Sequence, residues 1–141
     1  MDRILGIDYG KKRTGIAVSD PLGIFASALE TVPTANIINY LKNYTCKEKV
    51  KLFVVGYPKN LNGNPAECTP FVDLFLKTLK KNFPNIPISL EDERFTSQIA
   101  MQAMIAGGMK KSDRREKGSV DRISAAIILQ SYLDSKNNKL I

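Results

Sequence analysis

Asp8 closes an apolar run at a glycine turn, in Gly6-Ile7-Asp8-Tyr9-Gly10, and Asp121 follows Ser119 in the expected first turn of the last helical segment. A carboxylate ending an apolar strand is well placed to hold a divalent cation at the rim of a sheet. Its plainer use is to cap the turn. Asp121 has a plain use as well, since a carboxylate in a first helical turn meets the positive end of the helix dipole. Three and four residues beyond it come Ser124 and Ala125, small enough to let that helix face lie close against a sheet. Packing therefore permits the two aspartates to meet.

A third acidic group is available in Glu91-Asp92-Glu93, at the end of another strand-like run. Alternation along a strand puts Glu91 and Glu93 on one face and Asp92 on the other. The ordinary interpretation is a solvated acidic strand end. Asp20 is set aside: the second apolar run turns back against the first, so Asp20 falls roughly 20 Å from Asp8. It heads the turn Asp20-Pro21-Leu22-Gly23, whose residue types suit a type I turn.

Several carboxylates have one use that needs no other residue type. Phosphodiester hydrolysis builds charge on the attacking and leaving oxygens, and two divalent ions about 4 Å apart stabilise both. The chain has 0 histidines, which removes imidazole bases, histidine-containing zinc sites and imidazole triads. Only Cys46 and Cys68 are present, at no metal-ligand or redox spacing, so reduced structural thiols are expected.

Basic residues border these carboxylates in sequence. Lys11, Lys12 and Arg13 follow the first apolar run, Lys59 follows the fourth, and Arg94 adjoins Glu93. Lys110, Lys111, Arg114, Arg115 and Lys117 precede Asp121. They are candidates for phosphate contact, with a solvated loop as the alternative for the last group. The 21 basic and 14 acidic residues leave a net charge of +7, which favours a polyanionic partner such as nucleic acid.

The elements that must position these groups follow from apolar periodicity. Residues 3–8, 14–19 and 24–31 read as three antiparallel strands. Thr34 is a candidate cap for a helix with Ile37, Ile38, Leu41 and Tyr44 on one face. A strand over 51–55 closes at Gly56-Tyr57-Pro58, and Thr69-Pro70 opens a helix with the buried stripe Val72, Phe75, Leu76, Leu79 and Phe83. A fifth strand over 87–92 leads to a helix from Thr96 or Ser97 to Gly107-Gly108, and the last helix starts at an N-cap, Ser119. The order βββαβαβαα implies one α/β domain over 1–141, a mixed five-stranded sheet with helices on both faces.

Longer motifs add a resemblance. Gly6-Ile7-Asp8-Tyr9-Gly10 with Arg13 and Gly15-Ile16-Ala17-Val18-Ser19-Asp20 resembles the opening of the YqgF family of Holliday-junction-resolvase-like nucleases. The similarity continues through Val54-Val55-Gly56-Tyr57-Pro58, Asp92-Glu93-Arg94-Phe95-Thr96-Ser97, Lys117-Gly118 with Val120-Asp121, and Ala125-Ala126-Ile127-Ile128-Leu129. The resemblance implies an RNase H-like fold, strand order 3-2-1-4-5 with strand 2 antiparallel, and Asp8 close to Asp121. It also implies that Glu93 completes the metal site; many RNase H-like nucleases use a carboxylate on strand four instead, where this chain has Gly56-Tyr57-Pro58. Two roles come with the family: maturation of pre-16S ribosomal RNA in ribosome biogenesis, the expectation preferred here, and resolution of four-way DNA junctions.

The expected enzyme is thus a nuclease using Mg2+ or Mn2+, with two ions in the substrate complex held by Asp8, Glu93 and Asp121. Structured RNA is expected over branched DNA as its partner, with no membrane partner, a cytoplasmic location, and a monomer or weak homodimer. One rival is a non-catalytic nucleic-acid-binding module, which the basic loops alone would explain. Another is a sugar-kinase-like phosphotransferase, which needs two subdomains where 141 residues supply one.

Overall fold

The computed structural model describes residues 2–57, 69–92 and 117–138. Strands β1 (Arg3–Tyr9), β2 (Arg13–Ser19) and β3 (Ala26–Pro33) form a meander, followed by a short 3-10 turn (Thr34–Asn36) and helix α1 (Ile37–Lys47). Then come β4 (Val50–Tyr57), helix α2 (Thr69–Asn82), β5 (Ile88–Asp92) and helix α3 (Lys117–Asn138). The strands form one sheet in the order β3-β2-β1-β4-β5, which is the order the resemblance implied. β2 is antiparallel to β1, and β4 is parallel to both β1 and β5.

The central strands are apolar on both faces because helices cover both. Leu5 and Ile7 of β1 and Phe53 and Val55 of β4 pack with Ile37 and Leu41 of α1 and Val72, Phe75 and Leu79 of α2. Ile4, Ala17 and Val54 pack on the other face with Ala125, Ile128, Leu129 and Leu133 of α3. Phe53, Leu5, Ile7 and Leu129 are each 0% exposed, so the layers meet without solvent between them.

α3 lies so close to β1 that no side chain fits between them at Gly6. A Cβ built there would stand 2.7 Å from the Leu129 Cβ and 2.9 Å from the Ala125 carbonyl oxygen. The helix is also tied at its other half: the Gln130 amide accepts from the Ala26 N–H (2.8 Å) and donates to the Ile24 carbonyl (2.9 Å). Ala26 pairs with Ser19, whose Oγ accepts from the Ile4 N–H (3.0 Å), so this tie lies at the end of the sheet where β1 begins.

Several local expectations shift. α3 begins at Lys117, so Ser119 is inside the helix rather than its cap. Thr34 caps no helix; its hydroxyl donates to the Gly10 carbonyl (2.6 Å), while its N–H donates to the Lys12 carbonyl (3.0 Å). β3 runs two residues later than expected because Ile24 and Phe25 fold back onto Asp20. β4 continues through Gly56 and Tyr57, which pair with Glu91 and Asp92. Cys46 is free and exposed on α1, not buried in a structural role; Cys68 and the helix expected over 96–108 lie outside the described residues.

Candidate functional site

The carboxylates are sorted by strand alternation. Ile4 and Gly6 face α3 while Leu5 and Ile7 face α1 and α2, so Asp8, next but one to Gly6, lies on the α3 face. It is half-buried at the carboxyl end of β1. The register carries the row across the sheet: Ile7 aligns with Val55, so the next step aligns Asp8 with Gly56, and Gly56 aligns with Glu91. Asp8, Gly56 and Glu91 thus share one row and one face, Asp8 and Glu91 about 10 Å apart at their Cα atoms. Gly56, between them, contributes no side chain to that row.

Asp121 belongs to the helix over this face. From the Gln130 tie at the start of β3, α3 crosses the sheet to Ala125 above Gly6, so its N-terminal part heads for the end where Asp8 lies. Position 121 is four residues before 125, about 6 Å along the helix, and Asp8 is two residues beyond Gly6, about 6.6 Å along the strand. The backbone of residue 121 therefore sits at the same end of the sheet as Asp8. As the fifth residue of the helix it is outside the first turn, which contains no acidic residue, so the expectation that it occupies that turn is corrected. The helix-dipole explanation loses its force with it.

Asp20 stands apart, as expected. At the opposite end of the sheet its carboxylate accepts from the Ile24 N–H (2.8 Å) and Phe25 N–H (3.1 Å), which hold it below the usual carboxylate range. Glu93, Arg94, Lys59, Lys110, Lys111, Arg114 and Arg115 lie outside the described residues, and Lys117 is the first residue of α3. Among the described residues no three His, Cys, Asp or Glu side chains come together as a ready metal site.

The turn between β1 and β2 is positioned by Thr34. Besides its bonds to Gly10 and Lys12, its hydroxyl lies 3.0 Å from that of Thr14. A Cβ at Gly10 would run into the Arg13 carbonyl oxygen, so the turn closes only around glycine. Lys11 and Lys12 are exposed on it and Arg13 is half-buried at the start of β2. The basic turn is thereby held three to five residues from Asp8.

Opposite the carboxylate row, the same strand ends carry aromatic side chains. The Tyr9 ring stacks on Phe75 (centroids 4.0 Å, planes 7° apart) and on Phe71 (4.8 Å, 30°), and burial pushes its hydroxyl above the ordinary pKa. Tyr57 donates to Asp73 (2.9 Å), and burial, then that bond, raises its pKa. Neither this aromatic group nor the Gly56 row was identified from sequence. The alternation of Glu91 and Glu93 was the available signal for the row, but the register that chooses the face is non-local.

Comparison with known proteins agrees with this architecture. The family model RuvX, described as Holliday junction resolvase, matches residues 2–135. A relative from Phocaeicola vulgatus is 52% identical over 136 residues, covering 96% of this chain and 98% of its own length. One from Parabacteroides distasonis is 50% identical over 140 residues, covering 99% and 100%. Both bear the name "Putative pre-16S rRNA nuclease". Among solved structures, T. thermophilus RuvC in complex with Holliday junction substrate superposes with a TM-score of 0.60 at 17% identity, covering 97% of this chain and 96% of that one. The shared fold is the RuvC-like, RNase H-like one.

Proposed function

We propose that this chain, which belongs to the RuvX family, is a nuclease that hydrolyses phosphodiester bonds in the precursor of 16S ribosomal RNA. Two relatives named for that activity, about half identical to it over nearly their whole length, carry the substrate assignment. The row Asp8, Gly56, Glu91 supports the chemistry: hard oxygen donors on one face, a glycine between them that adds no side chain, and the helix bearing Asp121 over that face. Such a donor set fits Mg2+ or Mn2+.

In this mechanism Asp8 and Asp121 hold the metal from the strand and the helix, and Glu93 is the third carboxylate. Glu91 is its competitor, since it shares the Asp8 row. Bound there, the ions supply stabilisation for charge on the attacking and leaving oxygens. Lys11 and Lys12, on a turn fixed by Thr34, hold the flanking phosphates. Arg13, Lys59, Arg94, Lys110, Lys111, Arg114, Arg115 and Lys117 extend that basic surface. Among the described residues no helix is long and apolar enough to cross a membrane, and the reaction is assigned to the cytoplasm, where ribosomes assemble.

A second reading, cleavage of branched DNA, has the description of the matched family model in its favour. One assay decides between them: the protein with Mn2+ or Mg2+ is offered a pre-16S RNA fragment, single-stranded RNA and a four-way DNA junction. Asp8→Asn should lower cleavage by at least about 100-fold, the upper end of what losing a partner of a metal ligand costs, and leave binding nearly intact. Cleavage of the junction alone would establish the second reading. Unchanged cleavage by Asp8→Asn would refute the carboxylate mechanism. Glu93→Gln and Glu91→Gln, measured side by side, identify the third ligand by the larger loss.

A further inference from the structure

The aromatic side of the strand ends faces a groove between α1 and α2. It measures about 260 Å3 and is lined by Tyr9, Ile37, Ile38, Phe71, Phe75 and Thr78. Leu74 stands at its edge, 66% exposed, and Tyr9 and Phe71 are only half-buried, so the aromatic wall reaches solvent. Thr34 also lines the groove and bonds the Lys12 carbonyl, so the groove opens beside the exposed Lys11 and Lys12. Aromatic rings already piled face to face, Tyr9 against both Phe71 and Phe75, next to cations suit one kind of guest: a base that adds to the pile at its solvent-reaching side with its phosphate on the lysines.

We propose that this groove takes an unpaired nucleobase of the substrate strand, next to the phosphate presented at Asp8. The proposal rests on the nucleic-acid substrate assigned above. Its geometry comes from β1: Asp8 and Tyr9 are adjacent and project from opposite faces of the sheet. A strand crossing the sheet's rim can offer its backbone to one face and a base to the other. A paired base cannot turn away from its partner to do so, and the groove therefore selects single-stranded or frayed segments.

The test uses the full chain in chelator, so that binding is read without cleavage. A short single-stranded RNA carries 2-aminopurine at each position in turn, beside a blunt RNA duplex of the same length. Stacking on the rings should quench the probe at one or two neighbouring positions. Phe71→Ala, which removes part of the wall, and Thr78→Leu, which fills the groove from an exposed helix position, should each weaken single-strand binding about tenfold. Duplex binding should stay within about twofold. No quenching at any position with the unmodified protein saturated would overturn the proposal, as would equal losses for single strand and duplex. Cleavage with Mn2+ is measured in parallel: its absence would refute the nuclease assignment, whereas intact cleavage without quenching would refute the groove alone.

Discussion

Gly6→Ala is the substitution whose effect the packing defines most sharply. The added Cβ would face the Leu129 Cβ at 2.7 Å and the Ala125 carbonyl oxygen at 2.9 Å. Comfortable carbon contacts are about 3.5–4.0 Å, so roughly 1 Å must be opened. Neither obstacle is the end of a flexible side chain: one is a Cβ and the other is backbone, so α3 itself has to lift from β1. Overpacking of this kind costs about 1–3 kcal/mol. For a domain of this size that corresponds to a melting point lower by about 3–10 °C. The larger effect should be on cleavage, because the displaced helix carries Asp121 and leaves Asp8 in place. A misplacement of about 1 Å in a catalytic constellation costs about 100-fold. Thermal unfolding and single-turnover cleavage, measured well below the variant's melting point, give the two quantities. A variant that melts within about 1 °C of the parent would refute the close-contact argument. A destabilised variant that cleaves at the parental rate would show that the seating of α3 does not set the site.

Ser19→Ala removes the acceptor for the Ile4 N–H from a position 1% exposed, and should cost about 1–3 kcal/mol, read as a lower urea midpoint with unchanged slope. Replacing Lys11 and Lys12 together with Ala should flatten the log-log dependence of RNA affinity on salt by about 1.5, measured by titration at several ionic strengths. An unchanged slope would remove the basic turn from the binding surface. Tyr40 is pushed from 10.0 up to about 12 by burial and then by Glu30. The folded state then holds that proton more tightly than the unfolded one, so its contribution is full below the unfolded value and is lost as pH climbs from about 10 to 12. Tyr40→Phe should flatten the urea midpoint over that window, by a modest amount because the ring is partly exposed.

The parts of this molecule that sequence displayed are those governed by local rules. β1 and β4 announced themselves as apolar runs because both of their faces are buried, and α2 by the stripe Val72, Phe75 and Leu79. Asp20 was correctly given to a turn, because Pro21 and Gly23 specify one. Local rules also misled where tertiary partners overrode them. Thr34 has the chemistry of a helix cap but spends its hydroxyl on Gly10, twenty-four residues away in sequence. Gly56-Tyr57-Pro58 looked like the end of a strand, yet Gly56 and Tyr57 remain in it because β5 pairs with them. The relation of Asp8 to Glu91 passes through a third strand, and no periodicity within either segment encodes it.

Gln130 has a consequence for the margin of the sheet. β3 lies at one side of the sheet, where backbone groups without a neighbour invite a foreign strand. At its threshold, one side-chain amide satisfies a donor on Ala26 and an acceptor on Ile24, the pair of groups an incoming peptide would seek. The helix that roofs the carboxylate face thus also hems the first corner of this margin, at Ile24 and Ala26, while the exposed residues 27–30 of β3 run on beyond its reach.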